Sequence, residues 1–255
     1  RNLNINAFIY YSQGTFEIWV GQYIDEVTAN KEAVKYLEYL GSNIEIVKNN
    51  NNRIMLSNEY NEVLLMFDKS QNIYLSSLNS KSESVINVES NSYRDYITFS
   101  RSGDELVLIN IVKLKNYLYG VVPKETNPSW PLEALKAQAV AARNFALVNN
   151  KHVNEGYDLC DTTHCQVYGG YKSETIMTNR AVDETADRLL MYNDEIVNAY
   201  YHSSSGGHTE NRENVWSGKV PYLRGVVDVY SLGSPYDSWQ FVISDEEMRA
   251  KLIEN

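Results

Sequence analysis

The 255 residues suffice for one large domain or two modest ones. With 43% hydrophobic residues the chain can fill a core, which excludes intrinsic disorder, and no apolar run approaches the ~18 residues of a membrane-spanning helix. A balance of 23 Lys and Arg against 33 Asp and Glu gives a net charge of −10. That excludes nucleic acid or an anionic membrane as the main partner and leaves a neutral or sugar-rich substrate open. The 20 tyrosines, 28 asparagines and 5 prolines make a biased alphabet, which we read as an AT-rich genome. Cys160 and Cys165 are the only cysteines, so the choice is one local disulfide, one metal site or two reduced thiols. The chain opens at Arg1 in a polar run without a leader and is expected to be a processed or engineered piece of a longer protein.

In chain order, Ala7 to Tyr11 and Thr15 to Val20 alternate as strands. Glu26 to Leu40 carries Ala29, Ala33, Leu37 and Leu40 at helical spacing and stops at Gly41. Short strands are expected at Ile44 to Val47 and Arg53 to Leu56. These elements suggest a small α+β unit over residues 1–60. Strands follow at Val63 to Phe67, Ile73 to Leu75, Val85 to Val88, Tyr96 to Phe99 and Leu106 to Val112, with a Ser-rich exposed loop from Ser76 to Ser84. Pro131 opens the clearest helix, with Leu132, Leu135, Ala139, Ala142 and Ala146 on one face. A second helix is expected from Thr178, as its cap, to Leu190. Strands at Leu190 to Tyr192 and Ile196 to Tyr201 and a last helix at Asp245 to Leu252 complete the reading. The fold class expected is α+β: a mixed, strand-rich domain over 61–255 with a long Ala-rich helix, preceded by the small α+β subdomain.

Three patches carry the chemistry. They are YLYGVVPKETNPSWPLEALKAQAVAARNFA (117–146), GYDLCDTTHCQVYGG (156–170) and AYYHSSSGGHTENRENVWSGKVPYLRGVVD (199–228). In this order and wording they resemble the stage II sporulation protein D (SpoIID/LytB) family, from about Val107 to Asp228. The resemblance implies a peptidoglycan lytic transglycosylase, a lyase, with its acid on the Glu of VVPKE, Glu125. It also implies an endospore-forming bacterium, an extracytoplasmic location reached through an anchor or secretion segment outside this sequence, and glycan strands, stripped of stem peptides, as substrate. A wall amidase or a sporulation complex is the partner it suggests, and nucleic acid is not. A non-catalytic amidase enhancer and a wall-binding module are the rival readings. The family's later Gly/His-rich segment, roughly GHGVGMSQ, does not occur here, so a truncated or divergent C-terminal part is expected.

The residues accommodate that chemistry. Cleaving a glycosidic bond needs a proton donor at the leaving oxygen, and a carboxylic acid in apolar surroundings can supply it. Glu125 follows Gly120-Val121-Val122-Pro123 and is expected on a loop beside rigid elements. Without the motif it would read as a solvated carboxylate. A lytic transglycosylase needs no second carboxylate, because the C6 hydroxyl of muramic acid attacks C1. Lys124 and Arg143 are candidates to tune Glu125 or meet substrate, against a solvated lysine and a helix-surface arginine. Tyr201, His202, Ser203, Ser204 and Ser205 leave a strand into the Gly206-Gly207 turn and could bond sugar hydroxyls. No nucleophile elbow surrounds these serines, so they read as substrate contacts or a polar turn. Gln166 and Tyr168 are further cleft candidates, as are Trp130 and Trp216, for which core packing is the stronger reading.

Cys160, His164 and Cys165, with His152 as a fourth ligand, suit a tetrahedral structural Zn²⁺. Some members of the family bind zinc at such a cluster. A short-loop disulfide and two buried thiols remain the alternatives. In the first unit, Phe16-Glu17-Ile18-Trp19-Val20-Gly21-Gln22-Tyr23, the Ala-containing helix and LEYLG resemble the peptidoglycan-binding SPOR domain, against an α+β unit that only packs.

Overall fold

The computed structural model describes residues 7–40, 44–48, 52–77, 85–103, 105–233 and 240–253. The first strands, β1 (Ala7–Ser12) and β2 (Thr15–Val20), form a hairpin. Gln13 and Gly14 both sit at positive φ, the two-residue turn whose twist matches the strands. Helix α1 (Glu26–Leu40) starts at Asp25, whose carboxylate accepts from the Thr28 amide at 2.7 Å. Its inner face is Ala29, Ala33 and Tyr36, while Leu37 of the expected stripe is exposed. Strands β3 (Arg53–Ser57) and β4 (Val63–Asp68) complete a four-stranded sheet of order β2-β1-β4-β3, with β1 and β4 parallel. The sheet therefore runs past residue 60, where the sequence suggested a boundary. Phe8, Tyr10, Ile54, Val63 and Phe67 are its buried residues. Ile44 to Val47 is not a strand; the run lines a cleft between α1 and the sheet beside Trp19, Tyr36 and Arg53.

Two hairpins follow, β5 (Val85–Val88) with β6 (Asn91–Arg94), and β7 (Tyr96–Ser102) with β8 (Glu105–Ile111). The strand expected at Ile73 to Leu75 reduces to a single bridge, Leu75 to Ile97. Most of the Ser-rich loop expected at Ser76 to Ser84 lies outside the described residues.

Helix α2 (Leu114–Glu125) was not expected from the sequence, and it changes the place of Glu125 from a loop to a helix end. Leu114, Tyr117, Leu118, Val121 and Val122 are spaced i, i+3, i+4, i+7 and i+8, one apolar stripe. Gly120 and Pro123 disguise it. Helix α3 (Leu132–Val148) follows Pro131, and α4 (Ile176–Glu184) crosses both. The core joins Leu118, Tyr119, Val121 and Val122 of α2 to Ala139 and Ala142 of α3 and Val182 of α4. Small alanines let the helices approach, and Gly120 lets Tyr168 lie against α2, since an added Cβ would fall 2.4 Å from its ring.

Helix α4 is capped by Thr175, whose hydroxyl accepts from the Thr178 amide at 3.3 Å, and not by Thr178, which is fully buried. It ends at Glu184, six residues before the expected Leu190. At its end Thr185 Oγ1 donates to Ala181 O at 2.8 Å, and the Arg143 guanidinium donates to Val182 O at 3.3 Å and, beyond the helix, to Arg188 O at 3.1 Å. A cation at a helix C-terminus also suits the helix dipole. The strands expected after it shrink to a small hairpin, β9 (Met191–Tyr192) and β10 (Glu195–Ile196). Buried Asn144 of α3 cross-links the base of that hairpin, donating to Leu190 O at 2.8 Å and Val197 O at 2.9 Å. Helix α5 (Asp245–Ile253) closes the described chain. An Arg94–Glu174 ion pair, 2.5 Å and 2.8 Å, ties β6 to the start of α4. Among the described residues, five α-helices with small mixed and antiparallel sheets define an α+β fold. Among the described residues, no helix is long and apolar enough to cross a membrane.

Candidate functional site

Glu125 is half-buried where α2 ends. Its Oε1 accepts from the backbone amide of Val167 at 2.7 Å. The segment that brings Val167 there is pinned to α2, because the Gly169 amide donates to Gly120 O at 3.0 Å and Ser173 Oγ donates to the same carbonyl at 3.2 Å. Lys124, the neighbour of Glu125, is exposed and lies alongside Gly169.

Beside Glu125 lies a polar cluster inside an otherwise apolar core. Gln166 is 1% exposed. Its Oε1 accepts from Tyr117 OH at 3.1 Å, and its Nε2 donates to Ala142 O at 3.3 Å and to Tyr201 OH at 3.0 Å. Tyr117 stacks on Tyr168, centroids 5.2 Å apart, and Tyr168 OH donates to Asn110 Oδ1 at 2.8 Å. Burial pushes the Tyr201 phenol up to about 12; the Gln166 bond opposes the rise and the neighbouring Glu125 carboxylate adds to it. Burial likewise raises Tyr117 and Tyr168. The sequence reading named Gln166, Tyr168 and Tyr201 as candidates but missed Tyr117, Asn110 and the Val167 amide. Tyr117 stood in the first motif patch and was hidden because α2 was unread; a backbone amide leaves no trace in residue identity.

The other candidates fall elsewhere. Arg143 is 4% exposed, and its donors go to Val182, Thr185 and Arg188. It braces α4, which corrects its assignment as a substrate contact. Ser205 Oγ donates to Asp228 Oδ2 at 2.7 Å, which builds the Gly206-Gly207 turn. Ser204 Oγ accepts from the Gly206 amide at 3.4 Å. These two hydroxyls therefore act in the turn, whereas His202 and Ser203 are exposed. Trp130 and Trp216 are about half exposed, at 48% and 49%, and Trp216 stacks on Tyr200 at 4.7 Å.

The Cys/His patch converges. Ligand atoms of His152, Cys160, His164 and Cys165 lie within 4.8 Å of one another, and both cysteines are free thiols. His152 Nε2 is 3.3 Å from His164 Nδ1, which is 3.7 Å from Cys160 Sγ and 3.6 Å from Cys165 Sγ. A tetrahedral zinc with ordinary bond lengths needs about 3.3 Å between two nitrogens and about 3.6 Å between nitrogen and sulfur. The donor set and its spacing fit that ion. His152 Nδ1 faces Glu155 Oε1 at 2.8 Å, a contact that would fix the tautomer of a metal-binding histidine. Burial works against the Cys160 thiolate, but Thr162, His164 and Cys165 hold the thiol down to about 6, while burial raises Cys165. Cys165 is two residues before Val167, so this cluster lies on the segment that reaches Glu125.

Residues 102–192 match the model of the SpoIID family, described as stage II sporulation protein. An uncharacterized protein of Brachyspira hyodysenteriae is 38% identical over 136 residues, 52% of this chain and 37% of that protein. The amidase enhancer of Bacillus subtilis is 42% identical over 137 residues, 54% of this chain and 18% of its own length. The stage II sporulation protein D of the same organism is 34% identical over 140 residues, 49% of this chain and 41% of that protein. The matched part thus spans less than half the length of each of these relatives. The likeness to the SpoIID family thus falls on residues 102–192 of the chain.

Proposed function

We propose that this domain acts on the bacterial cell wall as a lytic transglycosylase, cutting the MurNAc–GlcNAc bond of peptidoglycan glycan strands and leaving 1,6-anhydro-MurNAc ends. The observation that carries the reading is the half-buried Glu125 carboxylate, held on one oxygen by the Val167 amide within a motif of the family. In the first half of the reaction the protonated carboxyl gives its proton to the departing glycosidic oxygen. In the second, the C6 hydroxyl of the same sugar bonds to C1 and its proton returns to Glu125. No water is consumed, and the carboxyl ends as it began. The intramolecular hydroxyl competes well with water because it is already beside C1. Lys124, His202, Ser203 and Tyr168 are the side chains we assign to sugar contact.

His152, Cys160, His164 and Cys165 would hold one Zn²⁺. The ion would supply a closed structural cross-link that steadies the segment leading to Val167. The N-terminal unit is read as an accessory wall-binding module, supported by the Phe16 to Tyr23 resemblance. The setting is extracytoplasmic, with a wall amidase or sporulation complex as the partner.

The likeness to an amidase enhancer favours a second reading, a non-catalytic stimulator of a wall amidase. Incubation with purified, peptide-free glycan strands in ¹⁸O water separates the two. Unlabelled anhydro ends seen by mass spectrometry are expected. Labelled reducing ends would make the protein a hydrolase. Intact strands, together with stimulation of an added amidase, would establish the enhancer.

A further inference from the structure

Buried polar groups in an apolar core are costly unless each finds a partner, and a side-chain amide can satisfy partners in only one orientation. Gln166 is such a group, and its surroundings fix its direction. Ala142 O is a carbonyl and can only accept, so the Gln166 NH₂ must face it. Oε1 then faces Tyr117, which must donate. The second proton of the NH₂ goes to the Tyr201 oxygen at 3.0 Å. Tyr201 therefore receives a hydrogen bond from Gln166, and its own proton must be directed elsewhere. The acidic neighbour of that hydroxyl is the Glu125 carboxylate, whose Oε1 is already held by the amide of the residue after Gln166.

We propose that Gln166 is a positioning residue: anchored by Ala142 O and Tyr117, it turns the Tyr201 hydroxyl into a donor aimed at Glu125, while its neighbour Val167 sets the other side of the same carboxylate. This rests on the reading of Glu125 as the acid and adds how that acid is oriented. Two adjacent residues, one through its side chain and one through its backbone, then define both the position and the rotation of one carboxyl group. The arrangement also accounts for a fully buried glutamine among apolar neighbours, where a leucine would fill the space without needing partners.

The test is a double-mutant cycle on peptide-free glycan strands with the whole chain. Gln166→Met keeps the volume and removes the orienting bonds; Tyr201→Phe removes the hydroxyl they orient. Each is expected to lower kcat about tenfold with KM within about twofold, and the double variant to lose about tenfold, not a hundredfold, because both act through one hydroxyl. Additive losses would overturn the proposal. If Gln166→Met does not fold, Tyr201→Phe decides alone, and an undiminished kcat overturns it. A wild-type chain that cuts no glycan would instead sink the transglycosylase reading, and the relay is then read by NMR of [¹³Cζ]tyrosine. Gln166→Met and Glu125→Gln should each move the Tyr201 resonance; an unmoved resonance in either folded variant would overturn the proposal.

Discussion

Val167 and Glu125, 42 residues apart in sequence, meet through a 2.7 Å hydrogen bond from the amide of one to the carboxylate of the other. The bond joins the end of α2 to the segment leaving the Cys/His cluster, so two regions that looked independent in sequence share one contact.

Replacing Glu125 by Gln keeps the size and an acceptor for the Val167 amide but removes the proton donor. Glycan cleavage should fall by roughly a hundredfold or more. Thermal unfolding followed by circular dichroism should change little. Near-normal turnover would end the case for this carboxyl.

Metal analysis of the purified chain should find about one zinc. Chelation should lower the midpoint of thermal unfolding, since a closed structural site contributes to folding. It should also shift the Val167 amide in a ¹⁵N spectrum, because Cys165 lies two residues away. Absence of zinc, or a Cys160–Cys165 disulfide in density, would count against the site.

Arg143→Ala strips donors from the carbonyls of Val182 and Arg188 in a buried place. Stability measured by denaturant unfolding should drop by about 2–4 kcal/mol, the scale of several lost buried bonds. KM for glycan in the folded fraction should hold within about twofold. A large rise in KM with stability intact would restore the arginine to the substrate.

Glu174→Ala removes the carboxylate that accepts from two nitrogens of the buried Arg94. Breaking one side of such a pair costs about 3–5 kcal/mol. Urea titration should detect it, and a loss below about 1 kcal/mol would show the pair to be as weak as one on the surface.

Tyr201 titrates in the folded protein at about 12, raised first by burial and also by Glu125. The unfolded phenol titrates near 10. The folded state thus keeps its proton where the unfolded state has lost it. The contribution of this group is fully present below pH ~10 and is lost as pH rises toward the folded value. Glu125→Gln should lower the tyrosine's pKa part of the way, leaving the share due to burial. No change on removing the carboxylate would separate the two groups.

The sequence pattern gave away the elements whose faces repeat without interruption: β1, β2, α1 and the Ala-rich α3 all lie within a residue or so of where periodicity placed them. It misled where a strong local signal competed with packing. Pro123 and Gly120 masked α2, and Thr178 looked like a cap although the buried position was its real role. Ile44 to Val47 had the composition of a strand but joins no ladder among the described residues. At the candidate site, the Cys/His spacing and the VVPKE motif were legible. The Tyr117–Gln166–Tyr201 chain was not, because it is made by three segments that meet only in the folded core.

The parallel pairing of Ile9 with Leu65 reaches across the whole first unit. On the ribosome, the β1–β2 hairpin emerges long before β4, and one edge of β1 waits uncovered while the intervening chain is made. An open edge is a template for pairing with another chain. Closure of the wide loop costs little more as it lengthens, since each doubling adds only about 0.6 kcal/mol. Extra residues between α1 and β3 should therefore be well tolerated in the finished protein, while slowing the step that seals the edge and so favouring aggregation of the nascent chain.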